Sequence, residues 1–164
     1  MDEALIENAL AYAARHQLQL AERLGFGIHG MIVVVENKSK GGKTAIKAHR
    51  ADEPYRRERD VYERLKQAGV TEVLGFNVPQ FIQADDDLRA IEMSIVTRPF
   101  LLDFAGAYPG VPPEFPDEVR SDWEAGMREQ FEARWPEVQA VLAALEEWDI
   151  HMVDVSPSNI AFDD

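Results

Sequence analysis

The chain has 164 residues, 46% of them apolar, enough for one compact domain or for two small lobes around a cleft. Its 30 acidic against 17 basic residues give a net charge of −13. Such a surface repels phosphate backbones and anionic lipid, so neither nucleic acid nor membrane is expected as a partner. With no cysteine, disulfides, thiolate metal sites and cysteine nucleophiles are excluded.

The acidic start Met1-Asp2-Glu3 lacks the basic region of a signal peptide, and no apolar run reaches membrane-spanning length, so a cytoplasmic location is expected. Residues 3–24 read as a helix, with Leu5, Ala9, Tyr12, Ala13, His16 and Leu20 at helical spacing. Gly25 to Gly30 is glycine-rich and leads into Met31-Ile32-Val33-Val34-Val35, a β-branched run that predicts a strand. A turn with Gly41-Gly42 separates it from a second strand, Thr44 to His49. Asp52-Glu53-Pro54 opens a helix, with Asp52 as cap, that stops at Gly69. Val78 to Gln83 and Leu88 to Thr97 read as strands around Asp85-Asp86-Asp87, and Phe100 to Ala107 as a short helix or turn. The proline-rich stretch Tyr108 to Pro116 is a loop or lobe connection. Residues 117–148 show helical periodicity, and Pro136 should kink that helix or open a second one. The tail from His151 reads as strand, loop, strand. The order predicts an α+β fold, a small antiparallel sheet with helices.

Four features carry chemistry. Gly25, Gly27 and Gly30 form a GxGxxG pattern, which taken alone also fits a plain loop with two bends. The dinucleotide-binding version follows a strand and opens a helix; here the pattern follows a helix and opens a strand. That fits a flap whose backbone N–H groups approach phosphates. Seventeen residues after Gly30 comes Lys47 in Ala45-Ile46-Lys47, where strand alternation puts Ala45 and Lys47 on one face. A small Ala45 leaves room for a flat ring beside the lysine. Glu58 heads the apolar stripe of its helix, with Val61, Tyr62 and Leu65 following at helical spacing. A carboxylate there needs a cation, and Lys47 is the candidate. Finally, Asp154-Val155-Ser156-Pro157-Ser158-Asn159 places an Asp and an Asn five residues apart after the long helix.

Jointly these features resemble the protein-kinase-like superfamily. The Asp-x-Ser-x-x-Asn form is similar to atypical branches such as the RIO kinases. The resemblance implies a kinase-like fold with an antiparallel-sheet N-lobe over residues 1–99 and a reduced helical C-lobe over 100–164. It implies ATP and Mg²⁺ as cofactors: Gly25, Gly27 and Gly30 over the phosphates, Lys47 on them and Glu58 holding Lys47. Ala45, Met93 and Val96 would flank the adenine, within a hinge between Met93 and Arg98. Asp154 would serve the accepting hydroxyl and Asn159 the metal.

Two departures qualify the resemblance. Kinases place a His two residues before the loop Asp; Met152 stands there, with His151 one place off. Kinases also carry a second metal-binding Asp, in an Asp-Phe-Gly-type segment, on the strand after the loop. This chain ends at Asp163-Asp164, so the second strand is expected to be missing; either Asp163 or Asp164 folds back to the metal, or a partner chain donates a carboxylate, or phosphoryl transfer is weak or lost. Three functions compete: a minimal phosphotransferase acting on a hydroxyl, a nucleotide-binding pseudokinase, and an interaction protein. In the last, Trp123, Trp135 and Trp148 would leave an apolar face for a protein partner or homodimer.

Overall fold

Leu5, Ala9, Tyr12 and Ala13 recur at helical spacing and are buried on one face of α1 (Glu3–Arg15). The structure is a computed structural model and describes residues 3–27, 29–153 and 155–163. The helix predicted to reach Leu24 stops nine residues earlier than that. Gln17 adopts a left-handed backbone, φ 57°, and residues 19–26 form strand β1 (Gln19–Phe26). Leu18 and Leu20 alternate with Gln17 and Gln19, a period of two that the helical reading overlooks.

The β-branched run becomes β2 (Gly30–Glu36), and β3 (Lys43–His49) returns beside it. α2 (Asp52–Gln67) follows. Ala51, not Asp52, is its cap residue; Asp52 is the first helical residue and pairs with Arg56 at 2.5 Å. One face of α2 buries Tyr55, Glu58, Val61, Tyr62 and Leu65; each apolar side chain there contributes on the order of 2 kcal/mol. Gly69, φ 71°, ends the helix. Two short strands not anticipated, β4 (Glu72–Val73) and β5 (Phe76–Asn77), come next. β6 (Phe81–Asp85) and β7 (Ala90–Met93) flank the acidic turn.

The stretch predicted as a short helix or turn is instead β8 (Phe100–Leu101), a connection, and β9 (Ala107–Pro109). The long periodic segment divides into α3 (Asp117–Phe131), a 3₁₀ turn (Glu132–Arg134) and α4 (Trp135–Glu146). Pro136 opens the second helix, as one of the two alternatives foresaw. β10 (Ile150–Met152) and β11 (Ile160–Ala161) complete the described chain.

The result is an α+β fold. Among the described residues, one five-stranded sheet runs β1-β2-β3-β7-β6, antiparallel throughout. A four-stranded sheet runs β11-β8-β5-β4, with β5 and β8 parallel, and β9 pairs with β10. α1 covers one face of the larger sheet, packing Tyr12 and its neighbours on Met31, Val33, Ile46 and Ala90. The main core lies on the other face, between Ala45, Tyr62, Leu65, Ile91, Leu101, Phe104, Val138, Val141, Leu145 and Ile150.

Trp135 is buried, and Trp123 and Trp148 pack against the same core half-exposed. Val111 and Phe115, in the stretch before α3, and Val119, on α3, are apolar side chains open to solvent. Among the described residues, no helix is long and apolar enough to cross a membrane.

Candidate functional site

β1 and β2 form the glycine hairpin. Gly25 sits opposite Ile32, and the Gly27 N–H donates to the Gly30 carbonyl at 2.7 Å to close the turn. The three glycines have different reasons to be glycine. Gly25 has φ 144°, a region side chains rarely adopt. A Cβ on Gly30 would lie 2.0 Å from the Ala48 carbonyl oxygen, so Gly30 is required by the close approach of β3. A Cβ on Gly27 would meet nothing nearer than 4.0 Å, so no protein atom demands glycine there. Arg50, just past β3, donates from Nη1 to the Gly27 carbonyl and from its backbone N–H to His29 O at 2.9 Å, tying the turn down.

Beneath the hairpin lies a cleft of about 500 Å³. Gly25, Gly27, His29, Gly30 and Ile32 form one wall; Ala45, Lys47, Met93 and Val96 form another; Glu58, Tyr62, Leu102, Asp103 and Ser158 close it. The pairings Ala45↔Met93 and Lys47↔Ile91 set β3 against β7 so that Ala45 and Lys47 face the cleft together. The residues that the resemblance assigns to nucleotide binding, from Gly25, Gly27 and Gly30 through Ala45, Lys47 and Glu58 to Met93 and Val96, all border this cavity. Within the hinge the Ser94 N–H is already given to the Gln80 carbonyl at 2.9 Å. A backbone donor for a ligand ring therefore falls at Ile95 or Val96.

Lys47 is buried, and its Nζ lies 2.8 Å from Glu58 Oε1 and 2.8 Å from Asp103 Oδ1. An ammonium has three donors, so one remains for a ligand. Burial alone would lower the Lys47 pKa, but the Glu58 and Asp103 carboxylates raise it above the usual lysine value. Glu58 is fully enclosed. Burial would raise its pKa; Lys47 and His49 outweigh that and hold it at about 2. Its Oε1 receives both Lys47 and His49 Nε2, the latter at 2.7 Å. Its Oε2 accepts the Phe104 backbone N–H at 2.6 Å.

One turn along α2, the Tyr62 phenol accepts the Asp103 N–H; burial and the Glu58 and Asp103 charges push its pKa well up. Glu58 and Tyr62 thus clamp consecutive amides of the Asp103-Phe104 segment. Asp103 itself takes a left-handed backbone, φ 70°, a conformation that costs of order 1 kcal/mol and here turns its carboxylate onto Lys47.

Asp103 and His49 are the site residues that the sequence reading missed. Asp103-Phe104-Ala105-Gly106 precedes α3, whereas an acidic segment was sought after Asn159. Space reverses the separation. β11, directly after Asn159, pairs antiparallel with β8, directly before Asp103: Ile160 sits opposite Leu101 and Ala161 opposite Phe100. The strand expected to be missing beside Ile160 is therefore supplied by β8, from earlier in the chain. His49 follows Lys47 by two residues on the same strand face, a signal that the alternation already contained.

Asp154 and Asp164 lie outside the described residues. Described residues on either side of Asp154 have fixed partners. Trp123 Nε1 donates to the Val153 carbonyl at 3.0 Å, and Asn159 Oδ1 accepts the Ser156 N–H at 2.8 Å. Asn159 is buried, and its amide oxygen is thus already engaged in the loop. Asp163 is exposed and does not border the cleft; its neighbour Phe162 packs on Phe76 and under Arg134. Among the described residues, no cluster of three or more His, Asp or Glu side chains is placed to hold a metal. Met152 is buried in the core and His151 only half-buried, so methionine fills the position where a kinase-like His was sought.

No protein-family model matches the chain, and no curated protein is found to be similar to it.

Proposed function

We propose that the chain is a kinase-like phosphotransferase of reduced size, which binds ATP with Mg²⁺ in the cleft and transfers the γ-phosphate to a hydroxyl acceptor. One observation carries the reading: the Lys47 ammonium is clasped at 2.8 Å by both Glu58 and Asp103 on the floor of a cleft roofed by the glycine hairpin. A buried ammonium with a spare donor, facing the glycine hairpin across the cleft, suits a phosphate chain. Ile32, Ala45 and Met93 offer apolar walls to a flat base, and Ile95 or Val96 a backbone donor.

Asp103 supplies a carboxylate on the cleft, which Asp163 does not. Hard oxygen donors fit magnesium, and Asp103 would hold it, with Asn159 contributing only if its oxygen serves the loop and the metal at once. When bound, Mg²⁺ offsets the charge of the phosphates. Lys47 binds and orients the phosphate chain, Glu58 fixes Lys47 and the Phe104 amide beside Asp103, and the hairpin excludes water. Asp154 is proposed to accept the proton of the attacking hydroxyl. The cysteine-free, acidic composition fits a cytoplasmic protein.

A second reading, nucleotide binding without transfer, is favoured by the engagement of Asn159 Oδ1 with Ser156. Thermal stability and ATP turnover separate the two. Saturating ATP–Mg²⁺, at about a hundredfold excess over Kd, should stabilise the protein by about 2.7 kcal/mol under either reading. Turnover abolished by Lys47→Ala and by Asp154→Ala supports transfer; binding without turnover under any metal supports the second reading; no stabilisation rejects both.

A further inference from the structure

We propose that His49 is a buried imidazolium, a positioning residue that shares the Glu58 carboxylate with Lys47 and so sets how firmly Glu58 holds the phosphate-binding lysine. Its effect on nucleotide rests on the reading above; its charge does not. The ring is fully buried. Nδ1 lies 3.1 Å from the Arg89 carbonyl oxygen, and Nε2 lies 2.7 Å from Glu58 Oε1. A carbonyl only accepts, and so does an ionised carboxylate, so both ring nitrogens must donate. A neutral ring would set one nitrogen lone pair against an oxygen lone pair, with no water to relieve it.

The surrounding charge agrees. Glu58 is held as a carboxylate, with its pKa at about 2. Lys47 and His49 as cations balance the buried Glu58 and the partly exposed Asp103 as anions. The other groups that face His49 leave that count unchanged. The Tyr55 ring meets it edge-on at 5.5 Å from α2, and the Tyr55 hydroxyl is given to Asp86. From the turn between β6 and β7, Arg89 Nε reaches only the His49 carbonyl, at 3.3 Å.

With one oxygen divided between two cations, Glu58 pulls less on Lys47 and leaves its ammonium freer to meet a phosphate. Without a cation at position 49, Glu58 rests on Lys47 alone and nucleotide affinity falls, while the chemical step is little changed.

The experiment has two arms on the full chain. The first is ¹⁵N NMR of the His49 ring without nucleotide at about neutral pH. Both ring nitrogens should carry protons in the wild type, and one should lose its proton in Glu58→Gln; a ring with one bare nitrogen in the wild type overturns the proposal. The second arm compares ATP–Mg²⁺ affinity and steady-state kinetics in the wild type and two variants. His49→Gln should bind about tenfold more weakly, with KM affected and kcat little changed. His49→Lys, keeping the charge, should restore affinity. Equal affinity in wild type and His49→Gln overturns the positioning role. If the wild type binds no nucleotide, the phosphotransferase reading fails, and the NMR arm still decides the charge of His49.

Discussion

Replacing Glu58 by glutamine removes one negative charge from beside the buried Lys47 and His49 while keeping the side chain's shape, and the structure sets the size of the response. Glu58 is fully enclosed and receives three donors: Lys47 at 2.8 Å, His49 at 2.7 Å and the Phe104 amide at 2.6 Å. Its pKa stands at about 2 against an ordinary 4.5, and each unit is worth about 1.4 kcal/mol, so the ionised form contributes about 3 kcal/mol to folding. Breaking a buried ion pair from one side costs about 3–5 kcal/mol, the same range.

Because the folded carboxyl has the lower pKa, this stabilisation is complete above about pH 4.5 and is lost as pH falls towards about 2. Urea unfolding of wild type and Glu58→Gln at neutral pH tests the figure. With m on the order of 2 kcal/mol/M, the midpoint should drop by about 1.5 M or more. Repeated at falling pH, the gap between the two proteins should close, since the wild type loses what the variant already lacks. A midpoint change below about 0.5 M at neutral pH, equivalent to about 1 kcal/mol, refutes the reasoning.

The glycine hairpin gives a paired prediction: Gly30→Ala drives a Cβ into the Ala48 carbonyl and should cost about 1–3 kcal/mol in thermal unfolding. Gly27→Ala, with open space around it, should fold normally and weaken only ATP affinity by calorimetry. Asp103→Asn should reduce Mg²⁺-dependent ATP affinity by about tenfold or more; with Asp103 about a third exposed, its stability should shift by less than about 1 kcal/mol. Asp163→Asn, remote from the cleft wall, should leave affinity unchanged in the same titration. Trp123→Phe removes the bond to the Val153 carbonyl; it should cost about 1 kcal/mol and lower turnover more than it lowers ATP binding, measured by steady-state kinetics.

What could be read from the sequence was what local periodicity encodes. Ala45 and Lys47 share a strand face by alternation, Glu58 heads a helical stripe, and their meeting follows from a short strand-to-helix connection. The end of α1 was misread because Leu18 and Leu20 fit a helical stripe and a strand alternation equally well; the left-handed Gln17 decides for the strand. Asp103 was out of reach for a different reason. Its place beside Lys47 depends on β8 pairing with β5 on one side and β11 on the other, and strands of two residues carry no periodicity to detect. The Asp-Phe-x-Gly string was present, but a carboxylate for the metal was sought in chain order instead of in space. His49 was legible by the same alternation that found Lys47, one step further along β3.

Where a bound nucleotide sits is decided most directly by a crystal structure of the chain with a non-hydrolysable ATP analogue and Mg²⁺. It should show a phosphate oxygen within hydrogen-bonding distance of Lys47 Nζ, the metal on Asp103 and the base against Met93 to Val96. A nucleotide bound elsewhere, with Lys47 still clasped between Glu58 and Asp103, would contradict it.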